Sequence, residues 1–253
     1  MRLALRSALL GALGTLVLCG CTNPQVVQDH HQAALFNTEL GIAYLQRGEL
    51  AVAKQKLDLA LSENADDPNV HSARALLFER LGEPARASRE FRRALELAPN
   101  DPDYQNDYAV YLCNEGHDAE GVTYFLAAAR NPLYLTPADA YNNAGVCLRS
   151  EHHDAEASRM FQTALAITPG FAQAAWQLAD LDYKHGRLQQ ARSELTRFLS
   201  AYNETPDLLL LAVRVMHAQG DVLDAVLYAR RLQLDFPDSA QAHALAALGL
   251  NPG

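Results

Sequence analysis

Glycine recurs in this chain with a fixed stride. Gly48, Gly82, Gly116, Gly186 and Gly220 are separated by 34, 34, 70 and 34 residues, and the gap of 70 divides into 34 and 36. Self-similarity at such a period marks a repeat array, in which one supersecondary unit recurs and buries its apolar face only against its neighbours. Alanine and leucine are abundant while β-branched residues and glycine are sparse, which favours helix as the repeated element.

Other positions hold the same phase. After Gly82 come Ala87, Phe91, Ala94 and Pro99; a parallel series, Ala157, Phe161, Ala164 and Pro169, follows His152, which stands where a turn glycine is due. The third unit keeps Gly116, Phe125 and Ala128 but has Gly121 in place of alanine. The first reads Leu40-Gly41, Tyr44, Gly48, Ala53 and Ala60; the fifth (Ala179, Gly186, Ala191) and sixth (Gly220, Ala225, Pro237) are weaker. The series resembles the tetratricopeptide signature, a helix-turn-helix of 34 residues. The resemblance implies an all-α, right-handed solenoid of six units, starting near residues 34, 68, 102, 138, 172 and 206, within a domain spanning 34–253. A short helix at 238–250 is expected to cap the last unit.

The chemistry fits the spacing. Small residues at Gly41, Ala109, Gly145 and Ala179 allow the two helices of a unit to approach closely, and Phe91, Phe125 and Phe161 fill the space beyond. A chance helical bundle would show 3.6-residue periodicity without this phase. The two-residue slip before the fourth unit falls in residues 131–137, where Pro132 and Pro137 predict an elongated loop.

The first residues read as a targeting segment. Arg2 and Arg6 precede an apolar stretch, Ala8 to Leu18, too short to span a bilayer but suited to a signal-peptide core. It ends in Leu18-Cys19-Gly20-Cys21, which resembles the bacterial lipobox. That resemblance implies removal of residues 1–20 and lipidation of Cys21. Thr22 is not the aspartate that commonly retains such lipoproteins in the inner membrane, so the outer membrane is the expected destination. The alternative is an ordinary secretory signal with an incidental cysteine. Residues 21–33, with Asn23-Pro24 and His30-His31, are expected to act as a tether.

Without Arg2 and Arg6 the 21 basic residues become 19, against 30 acidic ones, a net charge of −11. An acidic chain argues against nucleic acid, which needs a basic face to displace counterions. Enzyme motifs are absent from the sequence. It contains no His-Glu-x-x-His, no Gly-x-Ser-x-Gly and no phosphate-binding glycine loop ending in lysine. His152-His153-Asp154 lacks further ligands at useful local spacing for a metal. The Arg86, Arg89, Arg92 and Arg93 cluster, interleaved with Glu83, Glu90 and Glu96, has the form of a solvated helix face. No catalytic residue, cofactor or small-molecule substrate is expected.

Three segments point to a narrower family: Tyr44-Leu45-Gln46-Arg47-Gly48, Asn106-Asp107-Tyr108-Ala109-Val110-Tyr111-Leu112-Cys113 and Asn142-Asn143-Ala144-Gly145-Val146-Cys147. With the lipobox and six units, the chain resembles the PilF/PilW type IV pilus biogenesis lipoproteins over nearly its whole length. Asp107, where that family often shows a second asparagine, and His152 depart from the pattern. The resemblance implies partners among the pilus secretin or other pilus-assembly proteins, with assistance to secretin localisation or oligomerisation, or to pilus stability. The rival readings are a scaffold lipoprotein of another envelope assembly or export system and, with less support, an enzyme. Cys113 and Cys147 lie 34 residues apart on first helices of adjacent units, and an oxidising periplasm predicts a disulfide; the alternative is two buried free thiols.

In this fold the first helices line a concave groove. The second, fifth, ninth, twelfth and thirteenth residues of a unit point into it. That selects Thr38, Ile42 and Gln46, then Asn106 and Asn142, then Trp176, Asp180, Tyr183 and Lys184. The asparagines can bond a peptide backbone, and Trp176 and Tyr183 offer large contact areas with polar edges. For Trp176 the alternative is a core position between the fifth and sixth units. For the asparagines it is bonding between neighbouring helices.

Overall fold

The computed structural model describes residues 24–245. Cys21 and the far end of the expected cap, residues 246–250, lie outside them. Among the described residues there are thirteen helices and no strand. They run as pairs: α1 (Pro24–Gln46) with α2 (Leu50–Glu63), α3 (Pro68–Arg80) with α4 (Pro84–Leu97), and α5 (Pro102–Asn114) with α6 (Asp118–Arg130). Then come α7 (Pro137–Ser150) with α8 (Asp154–Ile167), α9 (Ala172–Lys184) with α10 (Leu188–Ala201), and α11 (Pro206–Ala218) with α12 (Val222–Asp235). The short α13 (Ala240–Ala244) packs on α11 and α12. Each pair rests on the next, giving the right-handed solenoid expected of the repeat.

The glycine stride has its cause in the backbone. Gly48, Gly82, Gly116, Gly186 and Gly220 end the first helix of their pairs at φ between 70° and 79°, and His152 takes the same place at φ 61°. That left-handed turn lets the next amide reach back to the helix it leaves: Glu49 N donates to the Tyr44 carbonyl at 2.9 Å, and His153 N to that of Leu148 at 2.9 Å. A histidine there accepts the strain a glycine avoids. Prolines open α3, α5, α7 and α11, where no intrahelical amide is lost. Asp67 and Asp101 cap α3 and α5 by accepting from Asn69 N and Asp103 N.

Close approach within a unit explains the small residues. A Cβ at Gly145 would lie 2.5 Å from Phe161 Cε1, and one at Gly41 2.6 Å from Leu57 Cγ. Phe91, Phe125 and Phe161 are buried, each in a cluster that takes in the first helix of the next pair.

Two features refine the expectations. The segment expected as a tether at 21–33 is helical from Pro24 onward, extending α1 beyond the length of the other first helices. Pro24 opens the helix and nothing after it breaks one. His30 bonds to Glu63, and Asn64 Nδ2 lies 3.3 Å from His31 Nδ1, so this helix is docked on the end of α2. The slip before the fourth unit appears as the loop 131–136, against four-residue connections such as 98–101. Tyr134 anchors it by entering the cluster of Ala109, Phe125 and Ala140.

Candidate protein-docking groove

The first helices of successive units, α1, α3, α5, α7, α9 and α11, touch one another along the array. Polar side chains about one repeat apart stitch them together. Tyr104 Oη donates to Asn69 Oδ1 at 2.8 Å, Ser72 Oγ to Asp107 Oδ2 at 3.1 Å, and Asn114 Nδ2 to Glu79 Oε1 at 2.9 Å. Arg149 reaches Asp180 Oδ2 at 2.5 Å and also bonds Gln177. The wall of the groove is therefore a hydrogen-bonded surface rather than a row of independent side chains.

The nine selected groove residues divide into three groups. Gln46 and Lys184 are exposed; Ile42, Asn106, Trp176 and Tyr183 are half-buried, and of these Ile42, Trp176 and Tyr183 pack on core clusters. Trp176 also borders a depression with Gln173, Gln177, Thr205 and Asp207, so its ring serves core and surface together. Thr38, Asn142 and Asp180 correct the expectation of open contact, at 3%, 1% and 6% exposure. The Thr38 hydroxyl donates to the Ala34 carbonyl at 2.8 Å. Asp180 is covered by Arg149 and paired with Lys184 at 3.0 Å. Asn142 sits within the wall.

Two surface residues escaped the reading. Val110 and Val146, the ninth residues of units three and four, are 37% and 40% exposed. With Cys113, Asn114, Asn143 and Ser150 they line a depression of about 210 Å³ between α5 and α7. Their signal was available, because they hold the same unit position as Ile42.

The floor of that depression is covalent. Cys113 and Cys147 are joined by a disulfide, with Cα atoms 5.7 Å apart. Asp118 lies beside it, its Oδ1 3.0 Å from Cys147 Sγ and accepting from Ser150 Oγ at 3.1 Å. These two sulfurs and the Asp118 carboxylate cluster closely, but the bonded sulfurs carry no thiolate to bind a metal. The disulfide also accounts for Gly121, since a Cβ there would meet Cys113 Sγ at 2.5 Å.

Charge is uneven along the array. Between units one and two, His71 Nδ1 lies 2.6 Å from Glu90 Oε2 and Nε2 2.9 Å from the Ala65 carbonyl; Arg74 donates to Glu90 at 3.1 Å and also binds Asp58. Burial pulls the His71 pKa down, but the hydrogen bonds to Glu90 and Ala65 and the Glu90 charge outweigh it, leaving a net rise. Of the arginine cluster on α4, Arg86 pairs with Glu83 at 2.6 Å, Arg93 with Asp66 at 2.7 Å and Glu96 at 3.2 Å, and Arg92 donates to the Tyr108 hydroxyl at 3.2 Å. The groove beside α5 has no such compensation. Burial, with the charges of Asp101, Asp67, Asp103 and Asp107, pushes Tyr104 up to about 12. Burial likewise raises the Asp107 carboxyl; the Ser72 bond only partly offsets it, and the Asp103 and Asp101 charges add to the rise.

His152 and His153 form a turn, and Asp154 is taken up by His185 Nε2 at 2.5 Å. No described helix is long and apolar enough to cross a membrane.

Comparison with known proteins agrees with this architecture. Tetratricopeptide-repeat models match residues 68–111 and 176–242. The type IV pilus assembly protein PilF of Pseudomonas aeruginosa is 28% identical, covering 80% of this chain and 81% of that protein. A solved structure of Pseudomonas aeruginosa PilF superposes with a TM-score of 0.69 at 26% identity, covering 87% of this chain and 99% of the other. PilW, described as a widely conserved type IV pilus biogenesis factor, superposes with a TM-score of 0.69 at 26% identity, covering 85% and 99%. Shared repeats, shared length and a shared course of the chain make this a tetratricopeptide-repeat protein of the PilF/PilW type.

Proposed function

We propose that this chain serves type IV pilus biogenesis as an outer-membrane lipoprotein, anchored through Cys21, that docks protein partners in its groove and catalyses nothing. The observation that carries the reading is the match to PilF and PilW along nearly their whole lengths, at a TM-score of 0.69. The polar, hydrogen-bonded inner wall suits recognition of a polypeptide: amides and carboxylates meet backbone and side-chain donors, while Trp176 and Val110 supply apolar contact. The partner in this proposal is a segment of the pilus secretin or of another pilus-assembly protein, held at the inner leaflet while it localises or oligomerises. Several acyl chains on one cysteine make a durable anchor, each buried CH₂ adding about 0.8 kcal/mol.

Deleting the gene is expected to leave cells without surface pili and secretin subunits unassembled, with both restored by the intact chain. Cys21→Ser is expected to release the protein from the membrane fraction and to restore neither. Normal pili and normal secretin multimers in the deletion strain would refute the pilus role and direct attention to another envelope assembly system.

A further inference from the structure

Units three and four repeat a pattern on one helix face: Asp103, Asn106 and Val110 on α5, and Asp139, Asn142 and Val146 on α7. The spacing of three then four residues places each trio on the same side of its helix. Position for position the two trios lie on neighbouring helices, and their valines share one depression.

We propose that this twin trio is a docking track for an extended, lysine- or arginine-bearing peptide segment. The inference rests on the groove reading above and assigns the chemistry of what the groove takes.

Three observations carry it. First, the carboxylates of Asp103 and Asp139 enter no ion pair among the described residues, unlike Asp180 on the neighbouring first helix α9, which Arg149 and Lys184 neutralise. After burial, the charges of Asp103 and Asp139 both add to the raised pKa of the Tyr134 phenol, and that of Asp103 to the raised pKa of Tyr104. Second, the buried Oδ1 atoms of Asn106 and Asn142 meet no hydrogen-bond donor among the described residues. Buried amides ordinarily find partners, and a turn of the half-buried Asn106 amide towards the groove would let it bond a peptide N–H or C=O, while Asn142, 1% exposed, lies behind it in the wall. Third, Val110 and Val146 are the apolar part of the track, exposed beside a rigid disulfide. An extended peptide alternates its side chains, so one set can reach the carboxylates while its backbone runs past the asparagines. A segment bearing acidic side chains at those places would meet like charge instead.

The test uses the full chain in detergent and a short fluorescent peptide alternating lysine with valine, beside its glutamate–valine counterpart and an N-methylated lysine–valine version. The lysine peptide is expected to bind at least about tenfold more tightly than the glutamate peptide. The Asp103→Asn/Asp139→Asn double variant should weaken it by about fivefold or more, whereas Glu39→Gln/Asp238→Asn, with the same change in net charge, should alter it less than about twofold. The N-methylated peptide should bind about tenfold more weakly, because it offers no backbone donors. Equal binding of the two charged peptides, no binding of either, or equal losses in the two double variants would overturn the proposal. None of these results touches the pilus reading, which stands or falls on the deletion strain.

Discussion

The junction of units three and four and that of units five and six solve the same stacking problem by different means. Between the later units α11 contributes Leu208, Leu209, Leu211, Val213, Val215 and Met216 to a continuous apolar cluster with Leu195, Phe198 and Leu232. Between the middle units the cluster is poor in large side chains: Ala109, Ala128, Ala140 and Ala144 around Phe125 and Tyr134. Apolar burial stabilises by about 25 cal/mol per Å², so alanines contribute less than leucines. The middle junction has a Cys113–Cys147 bond, and the later one has no counterpart among the described residues. The middle junction also carries the polar groove with Asp103, Asn106, Asp139 and Asn142. A face kept polar for docking cannot also be a leucine-rich core, and the covalent link supplies the cohesion that is missing.

Both junctions are open to measurement. Cys113→Ser/Cys147→Ser is expected to have the largest effect, a loss of about 4 kcal/mol in the chain-entropy account for a loop of this length. Urea unfolding of the variant measures it, and an unchanged midpoint would break the comparison. Leu209→Ala should cost about 3 kcal/mol through the cavity it leaves in the later cluster, in oxidised and reduced protein alike. His152→Gly should stabilise by about 1 kcal/mol, because glycine takes φ 61° without the Cβ clash that histidine suffers; thermal unfolding of the variant reads this directly. The smallest effect belongs to the His71 network. The folded pKa of His71 is raised above its ordinary 6.5, so its contribution is fully present below about pH 6.5 and is lost as pH rises through the raised value. A pH series of unfolding midpoints should show that decline, and His71→Gln should flatten it.

Much of this was legible in the sequence, for a physical reason. Turn geometry and helix contact distance depend on single residues, so the glycine stride and the small residues at Gly41 and Gly145 report the fold directly. The spacing of Cys113 and Cys147 reported their proximity in the same way. Burial within the groove was not legible. A repeat position says which way a side chain starts, not what a neighbour lays over it. Asp180 is covered because Arg149 of the preceding unit reaches across, and Thr38 because its hydroxyl turns back to its own helix. The helical start of α1 was hidden because Asn23-Pro24 suits both a loop and a helix N-terminus. Gly121 departed visibly from the alanine of other units, yet its cause is a sulfur eight positions earlier that no repeat pattern anticipates.

Amide hydrogen exchange on oxidised and reduced protein tests the division of labour most directly. Reduction should speed exchange in α5 to α8 while α9 to α12 keep their protection. Equal loss of protection along the whole array, or none in α5 to α8, would contradict it.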